Sequence, residues 1–479
     1  MTFIVYAILA LIALIFAIVL IRTILFVPRK EAAIEIDDVE VDLEKATRDL
    51  ADMIKCKTIS HRDPSCEDDA EFEKFISILP SKFPEIYKHC TFERVSSRAI
   101  LYHLKGKSSE KPSVFTAHFD VVDATEKDWA KPPFCGEVED GFLWGRGSLD
   151  TKSTLNASMQ ALEKLLSEGF VPENDIYLAF SGNEEINGEG QPEIIRLFKE
   201  RGIVPALVLD EGGAVVNHVF PGVHTPCALV GIAEKGMLNV ELRFTGNGGH
   251  SSSPKPHTPV GRLSAACVRI ENHPFKYRLS KVAASMFDTL ARHSNFGYKL
   301  IFANLWLFGP VLSLIGKMSG GELNALIRTT CSFTQMEGSK GINVIPTNAT
   351  MCANLRLIPG ETKASAEEYL RKQINDKDIQ LTVLEGEEPS PTSVACGEAW
   401  DKIVYAIKGT WDNTLVSPYL MFACSDAKHW SRVCDKVYRF SAMALASEER
   451  KTIHGNDEKI PLETIRKSVE FYVRLIEKC

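Results

Sequence analysis

The stretch DIYLAFSGNEEINGEG, Asp175 to Gly190, runs from a short apolar segment straight into a glycine-rich loop carrying two adjacent glutamates, Glu184 and Glu185. Ile176 to Phe180 has the length and β-forming character of a buried strand. Two neighbouring carboxylates repel unless they point apart into solvent or share a cation. The same pattern recurs along the chain. PSVFTAHFDVVD, Pro112 to Asp123, and VPALVLDEGG, Val204 to Gly213, are again apolar runs that end on histidine or acids. TKSTLNASMQALEKLLSEG carries Leu155, Met159, Leu162 and Leu166 at helical spacing and stops at Gly169. Strands alternating with helices imply an α/β fold with a mostly parallel sheet and helices on both faces. Ligands of such sheets gather at the carboxyl ends of the strands, which is where these polar residues fall.

At 479 residues the chain is long enough for about two to three domains. Its net charge of −8 comes without any basic run interleaved with aromatics, which disfavours a nucleic-acid partner. From Phe3 to Ile21 the chain is apolar without glycine or proline, a length that suits a helix crossing roughly 30 Å of hydrocarbon. A cleaved signal peptide would carry a basic start, a shorter apolar run and a small-residue cleavage site, so a retained single-pass anchor over residues 3–27 is the expectation. Arg22, Arg29 and Lys30 after the span favour a cytoplasmic globular part, and twelve scattered cysteines without CxxC pairs agree with a reducing compartment. An acidic stretch, Glu31 to Glu44, reads as a stalk.

From Cys227 onward the pattern changes. CALVGIAEKGMLNVELRFTG and TNATMCANLRLIPG alternate as antiparallel strands with one exposed face do, and they enclose a helical pattern from Val260 to Glu271. Residues 229–360 therefore read as an α+β domain inserted into a catalytic domain formed by 28–228 and 361–479.

At the strand ends stand His118 with Asp120, Asp150 after GRGSL, the Glu184/Glu185 pair and Asp210, with His454 in IHGNDE near the C-terminus. A lone histidine after a strand usually satisfies a backbone group. Five elements repeating the pattern point instead to a divalent cation such as zinc, which prefers imidazole and carboxylate.

HFD, GRGSLDTK, SGNEE, LVLDEGG and HGNDE, in this order, resemble the di-zinc peptidase family of aminoacylase, carboxypeptidase S and succinyl-diaminopimelate desuccinylase. The similarity runs from about Leu50 to the C-terminus. Within the family it is strongest to carboxypeptidase S and the N-fatty-acyl-amino-acid synthase/hydrolases, through KDWAKPPFCGEVEDGFLWGRGSLDTK, NLWLFGPVL, NALIRTT and NVIPTNAT. The resemblance implies two Zn²⁺, with Co²⁺ or Mn²⁺ able to replace them. His118 and Asp210 would hold one, Glu185 and His454 the other, and Asp150 would bridge. Glu184 would be the general base for a metal-activated water, and Asp120 would orient His118. It also implies a cis peptide between Asp150 and Thr151.

In the inserted domain, GNGGHSSSP resembles the family's lid motif, with His250 polarising the scissile carbonyl. Asn343 and Arg356 correspond to residues that meet the carboxylate of the product amino acid, a role suited to arginine's planar fork. The lid either pairs two copies into a homodimer or closes alone. LMFACSDAKHW places Lys428 where relatives tend to carry arginine, which removes the fork there. Asn295 to Met318 is the most apolar stretch after the anchor. It could line an acyl-chain tunnel, contact the membrane, or pack in a core or dimer interface, and packing is the default for a helix without a polar face.

The activity expected is amide hydrolysis of a small substrate, an N-acyl amino acid or the C-terminal bond of a short peptide. The alternatives are a dipeptidase and a catalytically silent binding protein. Secreted and lumenal relatives set against the flanking charges leave the side of the membrane open.

Overall fold

The alternation of apolar runs and helical patterns becomes an eight-stranded sheet in the computed structural model, which describes residues 2–29 and 37–479. Its strand order is Thr91–Ser96, Ala99–Leu104, Asn174–Ser181, Ser108–His118, Leu207–Val216, Val437–Ala444, Cys227–Glu234 and Leu415–Met421. Ser108–His118 runs parallel to both of its neighbours, and Val437–Ala444 runs parallel to Leu207–Val216, so the centre is parallel. Antiparallel pairs flank it. Lys30 and the Glu31–Ile36 part of the expected stalk lie outside the described residues.

Both faces of the central strands are buried. Tyr177 and Ala179 face a cluster with Ile194, Ile195 and Phe198 of helix Gly190–Glu200 and with Trp430. On the opposite face Phe115 meets Tyr472 of helix Leu462–Ile476 edge-on. A strand covered on both sides reads as a continuous apolar run, and that is the pattern in the sequence.

Helix Lys152–Ser167 is buried almost all round, and most of its polar side chains find partners. Lys152 Nζ donates to the carbonyls of Met53 and Cys56, and Asn156 Nδ2 donates to Ala46 O. Gln160 Nε2 donates to Asp49, and Glu163 accepts from the backbone N–H groups of Glu85 and Ile86. These bonds tie the helix to Leu43–Ile54 and Pro84–His89. It ends at Gly169 with φ +81°, as expected of a C-terminal glycine.

The chain divides into two units: Arg29–Ile232, Ser393–Tyr419 and Ser425–Cys479 form one, and Met1–Pro28, Ala233–Thr392 and Leu420–Cys424 the other. The second contains a four-stranded antiparallel sheet in the order Thr330–Glu337, Asn348–Leu357, Gly236–Thr245, Ile379–Glu387. Helices Pro259–Asn272 and Lys363–Ile374 pack on it through Leu263, Ala266, Ile270, Ala366, Leu370 and Ile374. The inserted unit thus extends to Thr392, past the expected boundary at Gly360, because Ile379–Glu387 pairs with Gly236–Thr245 as an outer strand. Of the packing expected for Asn295–Met318, the part in this chain's own core is corrected: Trp306, Val311, Leu314, Ile315 and Met318 are exposed on the single chain. Thr2–Leu25 is one helix, long and apolar enough to cross a membrane, a test that a signal sequence also passes.

Strand Leu207–Val216 carries a bulge that matters for the site. Arg439 pairs with Asp210 and the next residue, Phe440, with Gly213, so Glu211 and Gly212 are extra residues on this strand. At Gly213 the chains approach so closely that an added Cβ would lie 1.7 Å from the carbonyl oxygen of Leu229. Backbone cannot yield to such a contact without opening the strand pair. We expect Gly213→Ala to destabilise the protein by about 3 kcal/mol, read as a lower denaturant midpoint at unchanged slope.

Candidate metal centre

Five chain segments deliver histidines and acids to one end of the parallel strands. His118 is the last residue of Ser108–His118, and Glu184 and Glu185 open a 3₁₀ turn just after Asn174–Ser181. Glu211 projects from the bulge, and Asp150 precedes helix Lys152–Ser167 across a peptide bond to Thr151 that is cis, as the resemblance implies. His454 sits in a turn before strand Lys459–Pro461 with φ +58°.

Asp150 stands between the two histidines. Its Oδ1 lies 3.0 Å from His118 Nε2, and its Oδ2 lies 3.1 Å from His454 Nε2. Glu211 Oε1 is 3.3 Å from His118 Nε2, and Glu185 is 3.2 Å from His454 Nε2. His118 Nδ1 donates to the backbone carbonyl of Asp120 at 3.0 Å, which leaves only a lone pair at Nε2 of a neutral ring. A lone pair facing two carboxylates needs a proton or a metal ion among them. Donors bound to one cation at about 2.1 Å each stand roughly 3.0–3.4 Å apart at right-angle to tetrahedral spreads, and all four distances fall in that range. His118, Asp150 and Glu185 form one group able to hold a metal ion, and His118, Glu184 and Glu211 form a second.

The electrostatics agree. Burial pushes Glu211 up to about 8, and burial with the nearby Asp426, Glu211 and Glu185 charges pushes Glu184 well above the usual carboxylate range. Burial likewise raises Glu185, against the hydrogen bond from His454. Burial alone would raise Asp150 too, but hydrogen bonds from His118 and His454 hold it well below its ordinary value. Burial works to lower His118, and the surrounding carboxylates, Glu211 first, outweigh it and push the ring up. Hydrogen bonds to Asp150 and Glu185 push His454 up to about 10. Protons crowd onto this cluster because it calls for positive charge.

Asp210, expected among the ligands, is placed elsewhere: its two oxygens accept from Thr116 Oγ1 and from the backbone N–H of Ala427. The neighbour Glu211 reaches His118 instead. No strand periodicity could choose between adjacent acids across a bulge, although Glu211 stood in the quoted LVLDEGG. Asp120 is fully buried, and its carboxylate accepts from the backbone N–H groups of Glu184 and Glu185 and from Ser60 Oγ. Its Oδ1 also lies 3.3 Å from His118 Nδ1.

Glu458 was not singled out in the sequence, although it closes the HGNDE motif. Also fully buried, it accepts from the N–H groups of Gly147 and Leu149 and pairs with Arg146 at 2.7 Å, so it holds the loop that presents Asp150. Lys428 donates to Asn187 Oδ1, in the turn that follows the glutamate pair.

His250, Asn343 and Arg356 belong to the inserted unit. Gly249–His250 pairs with Val344–Ile345, and Ser251 N–H donates to Asn343 O at 3.1 Å, so His250 and Asn343 share one exposed ribbon. Arg356 lies on Asn348–Leu357, with Nε donating to Asn354 Oδ1 at 3.2 Å and Nη1 to Cys424 Sγ at 3.5 Å.

Comparison with known proteins matches residues 114–478 to the model of peptidase family M20/M25/M40. The chain is 33% identical over 444 residues to "Probable carboxypeptidase S-like 2" of Dictyostelium discoideum, covering 91% of this chain and 85% of that protein. It is 32% identical over 446 residues to the N-fatty-acyl-amino acid synthase/hydrolase PM20D1 of Xenopus tropicalis, covering 91% and 86%. Among solved structures, the M20 family metallo-carboxypeptidase Sso-CP2 of Sulfolobus solfataricus superimposes with a TM-score of 0.65 at 16% identity, over 90% of this chain and 98% of that one.

The metal-free cluster predicts a pH dependence of stability. Folded, Glu211 keeps its proton up to about pH 8, whereas the unfolded chain releases it near the ordinary value of 4.5. His118 and His454, both pushed upward, also hold protons in the folded chain that the unfolded chain gives up near 6.5. Rising pH through this window therefore removes stability from the chelated protein. We expect its melting temperature to fall steadily from about pH 5 to 8, and addition of Zn²⁺ to raise it and flatten the slope, as read by differential scanning fluorimetry.

Proposed function

The chain belongs to peptidase family M20/M25/M40, and on that premise we propose that it is a two-zinc hydrolase that cleaves N-acyl amino acids, or the C-terminal bond of short peptides, to release a free amino acid. Similarity over most of the chain to carboxypeptidase S-like proteins and to an N-fatty-acyl-amino acid synthase/hydrolase supports this substrate class. The observation that carries the reading is Asp150, whose two oxygens each face the Nε2 of a different histidine.

His118 and Glu211 would hold one cation and His454 and Glu185 the other, with Asp150 between them. Glu211 takes the place expected of Asp210, since it lies beside His118 while both oxygens of Asp210 are occupied. When bound, the cations supply the Lewis acidity that activates a water and polarises the amide carbonyl. Glu184 accepts the proton of the attacking water and passes it to the leaving nitrogen, and its raised proton affinity suits a group that must both take and give. Asp120 fixes the backbone of Glu184 and Glu185 and the ring of His118 together, so base and ligands keep their spacing. The roles of His250 at the scissile carbonyl, and of Asn343 and Arg356 at the substrate carboxylate, rest on the family resemblance.

We also read Thr2–Leu25 as a retained membrane anchor. Its last turns are hydrogen-bonded into the folded chain: Asn304 Nδ2 donates to Val19 O and Thr23 Oγ1, and Arg22 donates to Ala303 O. Cleavage of a signal sequence would remove these partners.

Glu184→Gln tests the base directly. On a panel of N-acyl amino acids and free dipeptides, the variant is expected to lose about 10²–10⁴ in kcat while retaining both metal ions and an unchanged KM. Loss of a metal would make Glu184 a ligand instead, and unchanged turnover would remove it from the chemistry.

A further inference from the structure

The most apolar segment of the globular part lies on the surface rather than in a core. Phe296–Phe302 and Leu305–Ser319 are two helices joined at a bend of 103°. The outward side of the second carries Trp306, Leu307, Val311, Leu314, Ile315 and Met318, whose exposures reach 55% at Trp306, 57% at Leu314 and 80% at Met318. These positions recur at three and four residues, so they form one continuous stripe, while Gly309, Leu312 and Gly316 face inward. An apolar stripe of this length is costly in water and marks a site that another apolar phase covers.

Three observations identify that phase as lipid. First, the bend is where the N-terminal helix attaches. Asn304, fully buried at the junction, donates to Val19 O at 3.3 Å and to Thr23 Oγ1 at 3.2 Å, and Arg22 Nη2 donates to Ala303 O at 2.8 Å. Arg292 Nη1 reaches Val27 O at 3.0 Å. Val19 lies roughly 26 Å along the helix from Thr2, so the attachment falls where a spanning helix leaves a hydrocarbon layer of about 30 Å. Second, the bent pair is as apolar as a membrane span, but a 103° bend does not fit a straight crossing and does fit a helix lying in the interface. Third, the surrounding segment is basic in an acidic chain. Between His273 and Gly320 stand Lys276, Arg278, Lys281, Arg292, Lys299 and Lys317 against one acid, Asp288. Such an excess is attracted to anionic headgroups.

We propose that the exposed stripe of Leu305–Ser319 rests in the lipid leaflet from which the N-terminal helix emerges, with an anionic membrane surface as its partner. The inference depends on the reading of Thr2–Leu25 as a membrane anchor. Two attachments, one spanning and one lying flat, then fix the inserted unit's orientation against the bilayer, where a single helix alone would let it swivel.

The test is photolabelling of the full-length protein in phosphatidylcholine and phosphatidylserine vesicles containing a phospholipid with a diazirine near the end of its acyl chain, followed by peptide mapping. Adducts on both Thr2–Leu25 and Leu305–Ser319 are expected. Adducts on Thr2–Leu25 alone would overturn the inference and leave the anchor standing, and adducts on neither would remove both. Cross-links joining Leu305–Ser319 of two copies, in place of lipid adducts, would identify the stripe as a dimer interface and overturn it as well. The double variant Val311→Glu with Leu314→Glu alters only exposed side chains, and it should cut labelling of Leu305–Ser319 by about tenfold while hydrolysis of a soluble substrate is kept. Undiminished labelling in that variant would count against the stripe as the contact.

Discussion

Mutual repulsion among clustered acids is the constraint on which the rest of this structure depends. Asp150, Glu184, Glu185 and Glu211, each partly buried, converge at the end of a parallel sheet, with the buried Asp120, Asp210 and Asp426 beside them. Burial pushes Glu184 and Glu211 toward their neutral forms, and Asp426, also buried and close to Asp210, rises to about 7. A chain gains nothing by assembling such a cluster for stability alone. Divalent cations convert the penalty into binding energy, and the spacing of the two histidines about Asp150 suits a pair of them.

Holding the cluster in place requires a second set of acids that face the backbone. Asp120 accepts from two consecutive peptide N–H groups, Glu458 from two others and from Arg146, and Asp210 from Ala427 N–H and Thr116. Hydrogen bonds to a charged group contribute about 1.5–3 kcal/mol each, enough in sum to keep several loops at strand ends from drifting apart. Each of these acids lies next to a cluster member in sequence or close to it in space. The short motifs visible in the sequence therefore carry two kinds of residue: one faces the cluster and the other fixes the loop that presents it.

This doubling explains what was legible in the sequence and what was not. The parallel sheet could be read because strands buried on both faces form unbroken apolar runs, and helix Lys152–Ser167 because its spacing and its terminal Gly169 agree. His118, Asp150, Glu184, Glu185 and His454 could be named because each stands at or beside the end of an element, within a short motif that the resemblance picks out. The choice between Asp210 and Glu211 was hidden by a bulge, a feature that depends on how Val437–Ala444 and Cys227–Glu234 pair and leaves no local signature beyond two glycines. The end of the inserted unit was missed for a similar reason. Ile379–Glu387 joins its sheet through long-range pairing that the sequence pattern around Gly360 does not announce. The apolar run from Asn295 reads the same whether it is buried in protein or left exposed, so only the folded arrangement could separate the two.

The central claim is that divalent cations neutralise this acid cluster, and zinc-edge anomalous diffraction from crystals of the full chain grown with Zn²⁺ tests it most directly. The account predicts two peaks flanking Asp150, one contacted by His118 and Glu211 and the other by His454 and Glu185. An empty site at full zinc occupancy elsewhere, or a first peak held by Asp210 with Glu211 turned away, would contradict it.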